Sequence, residues 1–298
     1  MLQSAGLPAP AFYDRSRVQR PRNGGVNAAG PAGLKSGPDA ALRRARLHAA
    51  HFREAEQIKA GLAGLLLFCA GHSGGGCKPG LPLADMRRTA QAASRQPDSV
   101  LSAFGARPLQ VFEAPDLYAI LLVICRRAGL RRVPGLYLLP FLGMNAYALG
   151  NPENACISVT EDLLRGLSRH EVAGIFAHEV AHILHGDDHA MNWAASVQQA
   201  IVDLALRGAG EESPRALLLS AAPLLARLLT SALSRVRELA ADLRALDLIE
   251  DPGALADALC KLELFHTGRR PAPAPGGAHP ALALNSHPET WERIARLC

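Results

Sequence analysis

No CxxC pair occurs in the chain, and its six cysteines, Cys69, Cys77, Cys125, Cys156, Cys260 and Cys298, form no dense framework. This excludes a small disulfide-stapled fold and reads as reduced thiols in a cytosolic setting, with Cys77 and Cys298 the exposed ones. Nothing around them suggests a thiol nucleophile. A long unbroken apolar run is missing as well. Residues 61–71 are apolar but too few to cross a hydrocarbon layer, which takes roughly 20. The run ALLLSAAPLLARLLTSAL at 216–233 is interrupted by Pro223 and Arg227, so a buried or bundle helix is expected there. The first residues, MLQSAGLPAPAFYDRSR, lack the apolar centre of a secretory signal, and export is not expected. No internal repeat is visible.

With 298 residues, 49% of them hydrophobic, the chain can bury a sizeable core. Its net charge of +5 is unevenly spread. Residues 1–60 carry ten Lys/Arg against four Asp/Glu, a balance of +6, leaving −1 for residues 61–298. Three regions follow: a disordered basic arm at 1–38, an N-terminal helical region at 39–95, and a domain at 96–298 that carries the chemistry. Asp39 is the expected cap of a helix running to about Ala70, and a short helix is expected near 83–94. A buried helix over 116–130 ends at Gly129. Three short extended segments follow at 136–139, 145–149 and 155–160, punctuated by Pro140, Gly143, Gly150 and Pro152. Beyond them the chain reads as helix at 160–167, 170–185, 191–206, 215–249, 252–266 and 288–297. The expected fold is α+β and predominantly helical, with a small antiparallel or mixed sheet.

The strongest local signal is His178-Glu179-Val180-Ala181-His182. At roughly 100° per residue, His178 and His182 lie about 40° apart on one helical face and can share a metal ion. Neutral imidazoles at that spacing suit Zn²⁺, while Glu179 beside them can take the proton of an attacking water. Val172, Ile175, Phe176, Val180, Ile183 and Leu184 recur at helical spacing, so the motif sits on a core-packed helix. A third protein ligand is needed. The continuation HExxHxxGxxH is excluded, because His185 and Asp188 stand where Gly and His would be. Glu211 and Glu212 lie in a loop-like segment. Glu238 and Asp242, four apart in SRVRELAADLRALDL, share a helical face. Glu238 is therefore the expected ligand and Asp242 the carboxylate that supports an imidazole, against the plainer alternative of a surface salt bridge.

Three blocks, NAYALG…ISVTEDLLRGLSRHEVAGIFAHEVAHILHGD, SRVRELAAD and SHPETWERIARL, together resemble the HtpX, CAAX-prenyl-protease and Oma-type gluzincin metallopeptidases. The resemblance covers about residues 115–298. It implies a zincin-like fold with the HExxH helix beside a small sheet, and one Zn²⁺ held by His178, His182 and Glu238 with Glu179 as general base. His287, in SHPET, resembles the family's C-terminal His-Pro and is expected to hydrogen-bond a developing oxyanion or to approach the metal as a reversible extra ligand. Asp187 is expected to orient the site or cap the next helix. An extended substrate is expected to pair along the strand near 155–159, which makes Asn145, Ala155 and Cys156 candidate cleft residues. The implied activity is endoproteolysis of peptides or unfolded proteins. A catalytically weak, zinc-stabilised adaptor is the alternative, although it would have no need of Glu179. HtpX and the prenyl proteases carry transmembrane helices, and no convincing span is read here. The expected location is therefore cytoplasmic and soluble, with possible peripheral contact of the basic arm with an anionic membrane and nucleic acid the weaker partner.

Overall fold

The computed structural model describes residues 38–72, 97–207, 214–251, 253–268 and 287–297. The expectations for the arm, the helix near 83–94, Cys77, Cys298, Glu211 and Glu212 fall outside those residues.

In chain order the elements are α1 (Pro38–His72), α2 (Pro97–Ala103), β1 (Arg107–Pro108), α3 (Pro115–Ala128), β2 (Gly135–Leu139), β3 (Ala146–Leu149), β4 (Cys156–Thr160), α4 (Glu161–Gly166), α5 (Arg169–His185), α6 (Asp187–Arg207), α7 (Pro214–Leu248), α8 (Gly253–Thr267) and α9 (Thr290–Leu297). The chain is mostly helical with one small mixed sheet. Its strand order is β1-β2-β4-β3, with β2 parallel to β4 and the outer pairs antiparallel. The sequence missed α2 and β1, both short and each containing a proline. Asp39 lies inside the first turn of α1, which begins at Pro38.

Two larger hydrophobic clusters organise these elements. In the first, Ile157 and Val159 of β4 meet Leu121 of α3, Val172, Phe176 and Val180 of α5, and Leu255 and Leu259 of α8. In the second, Leu62, Leu66 and Cys69 of α1 pack with Trp193, Val197 and Ile201 of α6 and Leu219, Ala226 and Leu233 of α7. Helix α7 belongs to both. It runs unbroken past Pro223 for 35 residues. Of the two readings expected at 216–233, a buried or a bundle helix, the bundle is the one found: α7 packs with α1 and α6 and keeps one apolar side outward, including Leu217, Leu218, Leu224 and Leu225.

Helix α5 has its two ends set by local chemistry. The Ser168 N–H donates to Glu171 Oε2 at 2.6 Å, and the Glu171 N–H donates to Ser168 Oγ at 3.3 Å, a reciprocal cap that satisfies two otherwise orphaned donors. Gly186 ends the helix at φ 65°, a left-handed position that glycine adopts without strain. Midway, Gly174 lets α8 approach: a Cβ there would lie 2.6 Å from the backbone nitrogen of Leu255. The metal-motif helix is thus clamped between the sheet and α8.

Candidate active site

His178 and His182 lie one turn apart on α5 with their Nε2 atoms 3.0 Å from each other. From α7, Glu238 brings Oε2 to 3.5 Å from His178 Nε2 and Oε1 to 3.4 Å from His182 Nε2. One donor atom from each of the three lies within 4.8 Å of the others. Tetrahedral zinc, with bonds of about 2.0–2.2 Å, needs its donors roughly 3.3 Å apart, so the set fits.

The outer nitrogens support the same reading. His178 Nδ1 is 3.0 Å from Asp242 Oδ1, and His182 Nδ1 is 2.5 Å from Asp187 Oδ2. Carboxylates there keep the proton on Nδ1 and leave both Nε2 lone pairs pointing at each other. Two converging lone pairs beside a carboxylate are favourable only around a cation. Burial opposes charging His178 and His182, but the Asp242 and Glu238 carboxylates beside the first, and Glu238 beside the second, favour the protonated ring enough to raise both. The Glu238 carboxyl is buried too, yet contacts with His178, His182 and His287 hold it well below the usual range. The site is preset for positive charge.

Against known families, residues 114–298 match peptidase family M48. The chain belongs to peptidase family M48. Its relatives include the protease HtpX homologue of Acaryochloris marina, 37% identical over 66% of this chain and 76% of that one. The protease HtpX homologue of Ralstonia nicotianae is 37% identical over 66% and 78% respectively. Among solved structures, the crystal structure of S. mikatae Ste24p superposes with a TM-score of 0.49 at 19% identity, covering 70% of this chain and 55% of that one. The chain is accordingly a metallopeptidase.

In this M48 peptidase Glu179 is buried and faces the cleft that contains the three donors. His287 lies at the entrance to α9, its Nδ1 3.6 Å from Glu238 Oε2 and its side chain largely exposed. Asp242 is buried and only 12% of the Glu238 side chain is exposed, so the surface salt-bridge alternative is set aside. Asn145 lines the cleft, and its N–H donates to Thr160 Oγ1 at 3.0 Å.

Ala155 and Cys156 do not line that cleft. Cys156 is buried in a third, smaller cluster with Leu101 and Leu139, and its thiol donates to Asp98 Oδ1 at 2.7 Å. The expected pairing of substrate on the edge of β4 is also corrected. Both edges of β4 are taken, by β2 and β3, and among the described residues the free edge beside the cleft belongs to β3. A four-residue strand between two glycine turns gave no hint that it would lie outermost.

Sequence reading assigned no role to two arginines that hold the site together. Arg293 of α9 donates from Nε and one terminal nitrogen to the two Asp242 oxygens at 2.7 Å each, and lies 3.2 Å from Glu238 Oε2. This fork-on-carboxylate pairing fixes both direction and distance. Arg237 pairs with Asp187 and donates to the His185 carbonyl at 2.7 Å. The signal for Arg293 was present in HPxxxxR, since the turn that carries His287 also carries the arginine one helical turn and a half further on. Arg237 stands next to Glu238 in sequence, but its target is visible only in three dimensions.

Proposed function

We propose that this peptidase is a zinc-dependent endopeptidase acting on extended peptides and unfolded protein chains. The observation that carries the reading is the convergence of His178, His182 and Glu238, with Glu179 beside them, in a cleft of about 710 Å³ bordered by the free edge of β3.

His178, His182 and Glu238 would hold the zinc, which supplies a Lewis acid that polarises the scissile carbonyl and acidifies water. Glu179 takes the proton of the attacking water and passes it to the leaving amine. Asp242 and Asp187 keep the two imidazoles turned toward the ion, and Arg293 keeps Asp242 and Glu238 in place. The backbone of β3 pairs with the substrate main chain and presents the bond to be cut. His287, exposed and beside Glu238 at the mouth of the site, hydrogen-bonds the carbonyl oxygen as it gains charge.

Exposed leucines favour work at a lipid surface over the freely soluble state. The segment Ala216–Leu248 is long and apolar enough to cross a membrane, with mean hydropathy 1.7 in its most apolar window and only 28% of that window buried. A basic arm at 1–38 would add attraction to anionic lipid.

The deciding experiment compares wild type, Glu179→Gln and Glu238→Ala for bound zinc and for casein cleavage. One zinc per chain in the first two, weakened in the third, with cleavage in wild type alone, is the expected outcome. Zinc without cleavage in any of them supports the adaptor alternative, and folded protein that binds no zinc sinks the reading.

A further inference from the structure

A strand added to β3 would place its side chains alternately on two faces of the sheet, and both faces have a wall ready for them. Pairing with β4 sets the alternation: Ala146 opposite Val159 and Ala148 opposite Ile157, Tyr147 opposite Ser158 and Leu149 opposite Cys156. Ala146 and Ala148 pack with Ile157 and Val159 against the cluster that includes α5, the face of the metal motif. Leu149 packs with Leu101, Leu139 and Cys156 on the opposite face.

On that opposite face two aromatic rings stand at the rim. Phe104, just past α2, and Phe141, just past β2, meet edge to face with centroids 6.3 Å apart. They are 57% and 49% exposed, and Tyr147 is 50% exposed. Three half-covered aromatic rings beside an unpaired strand edge are costly in water and become buried once a side chain is laid between them. All three line the same continuous cleft as His178 and Glu179. Geometry therefore joins this groove to the reacting centre through one docked strand.

We propose that Phe104, Phe141 and Tyr147 form a specificity subsite on the far face of β3 that takes a bulky apolar side chain of the substrate. Chain alternation makes it serve substrate positions on one face of the docked strand, while the intervening positions face the side of α5. The inference rests on the peptidase reading and deepens it. Its consequence is a preference with a period of two residues, one half of which depends on the aromatic pair.

The test uses a panel of Ser/Ala peptides in which a single Phe is walked through successive positions, with the cut bond mapped by mass spectrometry and kcat/KM compared. In the Phe104→Ala/Phe141→Ala variant the advantage of Phe should fall on the order of tenfold at alternate positions and persist at those between. Phe141→Glu should shift the choice at those same positions from Phe toward Lys. Both rings are half-exposed, and zinc content reports whether each variant keeps its site. Binding of the same peptides to Glu179→Gln, with and without Phe141→Ala, should show the same alternation with no turnover. Cleavage by wild type with preferences unchanged in the variants, or reduced equally at adjacent positions, overturns the subsite alone. Wild type that neither binds nor cuts any peptide overturns the peptidase reading and the subsite with it.

Discussion

The two halves of α7 break the usual inside-outside rule in opposite directions. Its second half carries Arg237, Glu238 and Asp242 into the interior, while its first half turns Leu217, Leu218, Leu224 and Leu225 outward. Buried charge is tolerable only with partners, and each of these groups has them: Asp242 and Glu238 share Arg293, and Arg237 meets Asp187. Outward leucines need a cover that the chain itself does not supply among the described residues. The comparison separates two kinds of cost, one met by neighbours inside the protein and the other left for something outside it. It also explains how one helix can serve both the candidate metal site and the three-helix bundle with α1 and α6.

The largest effect expected from breaking the internal half comes from Arg293→Ala. Asp242 is held down near 2 despite its burial, chiefly by this arginine, and the substitution leaves two carboxylates short of a counter-charge. A loss of about 3–5 kcal/mol is expected in urea unfolding of the metal-free protein. A loss below 1 kcal/mol would show that the pairing is not needed for the fold.

Gly174→Ala comes next, because the added methyl meets the α8 backbone rather than a yielding side chain. Overpacking of this kind costs about 1–3 kcal/mol, read as a lower melting temperature, and it should also weaken zinc binding by shifting α5.

Glu171→Gln is smaller. Burial opposes ionisation of Glu171, but Lys261 Nζ at 2.7 Å and the Ser168 cap outweigh it and hold the carboxyl below its ordinary 4.5. A carboxyl depressed in the folded state stabilises above the unfolded value and loses that contribution as pH falls through the folded one. Glutamine keeps the cap but not the charge, so a deficit of about 1 kcal/mol at pH 7 should shrink below pH 4.5. A deficit independent of pH would assign the effect to packing.

For the outward half, Leu217→Glu together with Leu224→Glu should change stability by less than about 0.5 kcal/mol, since neither side chain is packed. Binding to lipid vesicles should fall sharply in the same protein. If vesicle binding is unaffected and stability drops, the leucines belong to the fold and the comparison fails.

Much of the site was legible because it is local. His178, Glu179 and His182 declare themselves by spacing on one helix, and Glu238 with Asp242 repeats that spacing on another. Capping of α5 by Ser168 and Glu171, and its end at Gly186, are likewise short-range chemistry. Other features were illegible because they depend on which element neighbours which. Cys156 looked like a cleft residue until the pairing order put β4 inside the sheet. The apolar run at 216–233 read equally as a buried or a bundle helix, and only the packing of α7 against α1 and α6 showed which leucines are covered.

By itself, then, the sequence determined the longer helices, the residues that converge at the candidate metal site and the kind of chemistry, since helical periodicity and donor identity act within a few residues. Tertiary structure alone decided that β3 is the free edge, that Arg293 ties Asp242 to Glu238, and that Phe104 meets Phe141 across the end of the cleft. Those relations join residues far apart in the chain, and they exist only once the two cores have packed and fixed the distances between them.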